Sequence, residues 1–227
     1  MSTCRATVTD THWLTPNTLC VTLEPETYIP YEAGQYLAIL VEGNPVYFSI
    51  ANAPNLKNYQ LHIRIHPTHE TITALLTLLQ TPNTVHLLPP QGQCHLKALS
   101  SDPIIFIAGG TGIAPIIAMI ETLITTKDTR EFSLYWGVKT KADAYFNDTL
   151  IAWQKQKSFD YFCYDEAPSL LPLMKQLTTQ HAHLWTNKNI VIQGPFKMVF
   201  SLTKYLLNAG VKRHNLFSDA FEFSNGA

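Results

Sequence analysis

A chain of 227 residues, 46% hydrophobic and 15% charged, can bury a sizeable core, and it contains no apolar run of membrane-spanning length. Sixteen Lys plus Arg against seventeen Asp plus Glu give a formal charge of −1, which leaves no bulk electrostatic reason to bind nucleic acid or an anionic membrane. A small-molecule partner is expected, and because MSTCRATVTDTHWLT lacks a basic segment followed by an apolar stretch, so is a cytoplasmic location.

The first hundred residues are short segments rich in Val, Ile, Thr and Tyr: RATVTDTHWL, TLCVTLEP, QYLAILVE, VYFSIANA, QLHIRIH and TVHLLPP. Their punctuation by Pro, Gly and Asn predicts an antiparallel β-barrel or sandwich, and ETITALLTLL (70–79) predicts a helix capping one end. From residue 103 apolar strands alternate with amphipathic helices. The strands fall at IIFIA, FSLYWG, FDYFCY and NIVIQG, and the helices near 114–126, 143–156, 169–178 and 196–208. This order predicts a doubly wound parallel sheet, hence a two-domain β + α/β chain divided into 1–98 and 103–227, with LKALSSDP (96–103) at the junction.

Cys4, Cys20, Cys94 and Cys163 form no C-x-x-C pair and read as buried small hydrophobes. His62 and His66 stand four apart in a predicted strand, about 13 Å along it, too far for one metal ion to take both. No metal site is expected.

The first chemical signal is AGGTGIAP (108–115), between a predicted strand and a predicted helix. Beyond the carboxyl ends of parallel strands, helix N-termini present unpaired N–H groups and the positive end of a dipole. Gly109, Gly110 and Gly112 would let backbone approach an anion there, Thr111 adds a hydroxyl, and Pro115 suits a first helical turn. The stretch is neither G-x-G-x-x-G nor a P-loop, so two readings stand level: a phosphate cradle, or a plain strand-to-helix turn. A second turn, Gly194–Pro195 in NIVIQGPFKM, would lie on the same sheet edge, and two such turns suit an extended ligand such as a dinucleotide.

Taken in order, YEAGQY, VYFSIANAP, LHIR, IIFIAGGTGIAP, LYWGVK, IVIQGPFKM and LFSDAFEF resemble the ferredoxin-NADP reductase superfamily, and within it the bacterial NAD(P)H-flavin reductases, from about residue 30 to residue 223. The resemblance implies a flavin-binding barrel, a nicotinamide-binding α/β domain and hydride transfer between them. NADH or NADPH would be the donor, with FAD, FMN or riboflavin as the flavin. Tyr47, Phe48, Ser49 and Ile50 match the element along the flavin ring, with Ser49 as the residue of chemical role near flavin N5. Gly109, Gly110, Thr111 and Gly112 match the pyrophosphate turn, and Gly194 and Pro195 the loop beside the nicotinamide.

Lys139 and Lys141 match basic groups placed on a 2′-phosphate, or are ordinary surface lysines. Tyr145 matches an aromatic near the adenine, or is a core residue at a helix start. Phe221 and Phe223 lie where an aromatic approaches the flavin, one of the two being expected in the core instead.

Three departures qualify the likeness. Val46 stands where the family places an Arg on a flavin phosphate, and HPTHETIT replaces a glycine-opened phosphate turn, although Thr71 and Thr73 could donate hydroxyls and Arg64 could supply charge. Gln193 replaces the Cys often found before Gly-Pro. The first two favour a flavin held mainly by its ring and released as product to an oxygenase, ferric iron or oxygen. The alternatives are a reductase component that retains FAD or FMN and serves a ferredoxin or oxygenase partner, and a non-catalytic flavin or nucleotide sensor.

Overall fold

Alternation of apolar and polar residues builds the first half of the chain. The computed structural model describes residues 3–65, 70–80, 82–165 and 185–223. Strands β1 (Cys4–Thr15), β2 (Thr18–Pro25), β3 (Tyr36–Val41), β4 (Asn44–Ser49), β5 (Tyr59–Arg64) and β6 (Asn83–Gln91) form one antiparallel sheet in the order β4-β3-β6-β1-β2-β5. A bridge from Ile50 to Leu61 joins its two edges and closes the barrel. Leu19, Val21 and Leu23 of β2 meet Leu61 and Ile63 of β5 in its core. The alternate residues Cys20 and His62 are also buried, beneath the second half of the chain.

Helix α1 (Glu70–Leu78) caps the barrel with Leu75, as its spacing predicts. The strand expected through Ala53 stops at Ser49. Asn52 takes over the backbone there, accepting from the Gln60 N–H at 2.8 Å and donating to Asn58 Oδ1 at 3.0 Å.

The second half alternates β7 (Ile104–Gly109), α2 (Ile113–Thr125), β8 (Phe132–Gly137), α3 (Asn147–Gln156), β9 (Asp160–Tyr164), β10 (Asn189–Gln193), α4 (Phe196–Asn208) and β11 (Leu216–Phe217). The strands are parallel in the order β11-β10-β7-β8-β9. Winding reverses between β7 and β10, the position at which such sheets bind ligands. Helix α3 starts four residues later than expected because Thr140 and Asp143 cap each other and close a separate turn over Lys141–Asp143. The helix expected near 169–178 lies outside the described residues. Trp136 and Phe106 are wholly buried in this core, each contributing about 1.5–3 kcal/mol by burial.

Two carboxylates tie the halves together. The Glu121 carboxylate of α2 accepts from the Ala53 N–H at 2.7 Å, and Glu222 accepts from the Gln93 N–H at 2.6 Å and the Tyr36 hydroxyl at 3.1 Å. The second tie fastens the C-terminal segment across the barrel.

Candidate functional site

A cleft of about 500 Å³ lies between barrel and parallel sheet. Its barrel wall carries Tyr36, Tyr47, Phe48, Ser49, His62 and Arg64; the opposite wall carries Thr111, Gly112, Ala114, Gln193, Gly194 and Phe196; the C-terminal segment adds Asp219, Ala220 and Phe223. Of the residues expected from the sequence, Tyr47, Phe48, Ser49, Arg64, Thr111, Gly112, Gly194 and Phe223 line this one cleft.

On the barrel wall, Tyr47 packs edge to face on Tyr36 at 5.7 Å and on Phe223 at 5.5 Å, and Phe223 lies nearly parallel to Phe196 at 6.2 Å. Tyr47, Phe196 and Phe223 are exposed and present apolar faces to a planar ligand, while Tyr36 is buried behind them. Ser49 opens onto the same cleft, and its hydroxyl makes no hydrogen bond to any described residue. Ile50 is buried in the barrel core behind it, and Val46 packs against that core.

The two glycine turns press against each other. A Cβ on Gly112 would lie 2.4 Å from the Gln193 carbonyl oxygen and 2.6 Å from the Gly194 Cα, and one on Gly109 would lie 2.6 Å from the Met198 sulfur. Gly112 and Gly194 are thus required by turn-on-turn packing, whereas the Met198 side chain could yield to a Cβ on Gly109. Gly110, at φ +54°, lies toward the barrel, and a Cβ on it would stand 3.3 Å from Arg64 Nη1. The packing of the two turns accounts for Gly112 and Gly194, and the positive φ of Gly110 accounts for another glycine of AGGTGIAP. Pro115 lies buried in the first turn of α2, as expected.

Other expected residues fall elsewhere. Tyr145 is tucked between His62 and Trp136, its hydroxyl 3.2 Å from His62 Nδ1. Lys139 and Lys141 are exposed and do not line the cleft. Phe221 packs on α4 beside Phe200, with the Arg213 guanidinium 4.1 Å from its ring centre, so Phe223 is the aromatic of the pair at the cleft. His66 and the Thr71 side chain lie outside the described residues. Among those described, no group of three or more His, Cys, Asp or Glu could hold a metal ion, and no helix is long and apolar enough to cross a membrane.

Sequence reasoning did not single out Asp219, an acid between two Phe-rich segments. Its carboxyl is buried with Oδ1 unpartnered, and burial pushes its pKa up to about 8, with Glu222 adding to the rise and a hydrogen bond to Gln193 opposing it. The Gln193 amide also donates to Cys94 Sγ at 3.3 Å. Because the folded chain retains the Asp219 proton up to about pH 8 while the unfolded chain releases it in the ordinary carboxylate range, this group costs stability as pH rises between the two. The expected result is that Asp219→Asn gains in melting temperature relative to the parent between pH 5 and pH 8. Thermal melts across that range check it, and a pH-independent difference would contradict it.

A family model described as the oxidoreductase NAD-binding domain matches residues 106–203. An NAD(P)H-flavin reductase of Vibrio harveyi is 26% identical over 221 residues, covering 91% of this chain and 93% of that protein. A CDP-6-deoxy-L-threo-D-glycero-4-hexulose-3-dehydrase reductase of Yersinia pestis is 28% identical over 210 residues, covering 89% of this chain; the chain spans 63% of that longer relative. A ferredoxin NADP+ reductase structure from Neisseria gonorrhoeae, with bound FAD and NADP, matches with a TM-score of 0.80 at 17% identity over 96% of this chain and 98% of that one, which shows the shared fold.

Proposed function

We propose that this chain, which belongs to the ferredoxin-NADP reductase superfamily and is an oxidoreductase, reduces a flavin that binds mainly by its ring and leaves as product. The observation that carries this reading is the make-up of the barrel wall. Rings and a hydroxyl make up its β4 part, Val46, at the family's phosphate-pairing position, packs against the barrel core, and Arg64 on β5 is the one cation of that wall. Along β4 a ring is held by stacking with no guanidinium at the phosphate-pairing position, which suits a ligand that exchanges.

Reduced nicotinamide supplies hydride, and the flavin accepts it at N5. The chain's own work is to bring the two rings to near-contact distance and keep water out. Tyr47, Phe48 and Phe223 offer the apolar surface, and the Ser49 hydroxyl is available to hydrogen-bond the flavin at the edge that receives hydride. The α/β wall would hold the dinucleotide at the glycine turn, with Gly194 and Pro195 on the nicotinamide side. Asp219 keeps its proton at neutral pH and holds it at a carboxyl that faces the cleft.

Oxidation of NADH and of NADPH, followed at 340 nm with riboflavin, FMN or no flavin added, tests the proposal. Turnover that requires added flavin is expected. The second reading is a reductase component with retained FAD or FMN serving a ferredoxin or oxygenase partner; the likeness to the longer Yersinia protein, named as the reductase of a dehydrase, supports the component part of it. Its mark is reduction of an artificial acceptor with no flavin supplied.

A further inference from the structure

Tyr36 stands buried where the barrel meets the C-terminal segment. Its ring packs edge to face on Tyr47 at 5.7 Å and tilted on Phe223 at 5.5 Å, and those two rings meet each other at 5.5 Å. The three rings form a closed triangle, in which Tyr36 backs the two exposed ones. The Tyr36 hydroxyl donates to Glu222 Oε2 at 3.1 Å and the Gln93 N–H donates to Glu222 Oε1 at 2.6 Å, so each carboxylate oxygen holds one part of the barrel. Burial, and then the Glu222 charge, pushes the Tyr36 pKa up, so the phenol keeps its proton and remains the donor. The loop that carries Gln93 is itself fixed. Gly92, at φ +114°, has no room for a Cβ, which would lie 2.8 Å from the Tyr36 ring, and the Gln35 amide donates to the Gly92 carbonyl at 3.1 Å.

We propose that Glu222 is a positioning residue of the flavin seat: by clamping Tyr36 and the Gly92–Gln93 loop, its carboxylate fixes the angle at which Phe223 faces the flavin ring. The inference rests on the reductase reading above and deepens it, since that reading names the rings and this one names what holds them. Glu222 stands outside the cleft, so it acts through other groups. Two routes lead from it to Phe223. The first is the backbone. A short turn over Asp219–Phe221, capped by Ser218 Oγ accepting from the Ala220 N–H at 3.3 Å, sends Asp219 to the cleft and Phe221 onto α4, and Glu222 then ties the far side of the segment to the barrel. The second route runs through Tyr36, whose hydroxyl the carboxylate holds and whose ring touches Phe223. Phe223 is 39% exposed, and a ring so placed changes rotamer freely unless its surroundings are held. A ring already fixed in place costs no ordering when the flavin arrives.

Quenching of flavin fluorescence on titration with the protein reads the seat without turnover, and KM for NADH reads the opposite wall. Glu222→Ala is expected to weaken riboflavin and FMN by the same factor, about three- to tenfold, the scale of one hydrogen bond ordered at a surface, and to leave the NADH KM unchanged. Glu222→Gln, which keeps an acceptor oxygen, is expected to recover part of the affinity, and Tyr36→Phe, which keeps the ring, to lose less than Glu222→Ala. In a Phe223→Ala background, Glu222→Ala is expected to add nothing, a coupling that general loosening of the fold would not produce. Equal riboflavin affinity in Glu222→Ala and the parent overturns the proposal, as does a loss of the same size when Phe223 is already Ala. A parent that binds riboflavin but oxidises neither NADH nor NADPH with it would sink the reductase reading and leave the Glu222 result standing, and a parent that binds no riboflavin would overturn both.

Discussion

Gly112→Ala is expected to abolish most nicotinamide-nucleotide binding and to lower the melting temperature. Two effects compete. Gly112 has φ −60°, so alanine suits its backbone, and reduced freedom of the unfolded chain favours the variant by about 0.4–1 kcal/mol. Against this, the added Cβ would lie 2.4 Å from the Gln193 carbonyl oxygen and 2.6 Å from the Gly194 Cα. Both are backbone atoms at the end of β10, and no rotamer change can move them aside. Overpacking of this kind costs about 1–3 kcal/mol or more, so the clash wins. Relief requires the two glycine turns to separate, and that separation spoils the anion site between them.

The matched control is Gly43→Ala. Gly43 has φ +81° with nothing within 4 Å of its added Cβ, so stability falls by about 1–2 kcal/mol with the nucleotide site untouched. Melting curves and nucleotide titrations on both variants check the contrast. Full nucleotide affinity in Gly112→Ala would contradict the packing argument.

Ser49→Ala is expected to slow hydride transfer about ten- to hundredfold, the range for losing one hydrogen bond that matters most as charge develops. The hydroxyl opens onto the cleft without a partner among the described residues, so its removal leaves no orphaned neighbour there and the fold should hold. The loss should fall on kcat, with KM for NADH little changed. Ser49→Thr, which keeps the hydroxyl, should recover part of the rate. Equal rates in Ser49→Ala and the parent, measured under single-turnover conditions, would remove Ser49 from the chemistry.

Local pattern carried far in this chain. Period-two alternation marked β1, β2 and β6 nearly to their ends, and TLCVTLEP gave β2 its full span. Helical spacing likewise placed α4 over Phe196–Asn208. The misplaced ends are those where a side chain competes with the backbone: Asn52 halts β4, and the Thr140–Asp143 cap delays α3. What could not be read was contact between distant segments. Tyr145 matches an adenine neighbour in sequence and packs on His62, 83 residues away. Asp219 carries no sequence signal, and its burial beside Gln193 at the end of β10 is a tertiary fact; likewise only the pairing of β7 with β10 reveals that Gly112 must be bare.

The most direct test of a released flavin is retention. The protein is mixed with FAD, reduced anaerobically with NADH, passed through a desalting column and reoxidised, and absorbance at 450 nm is read in both fractions. Colourless protein with the flavin in the small-molecule fraction is the predicted result. Yellow protein carrying one flavin per chain through the column would contradict it.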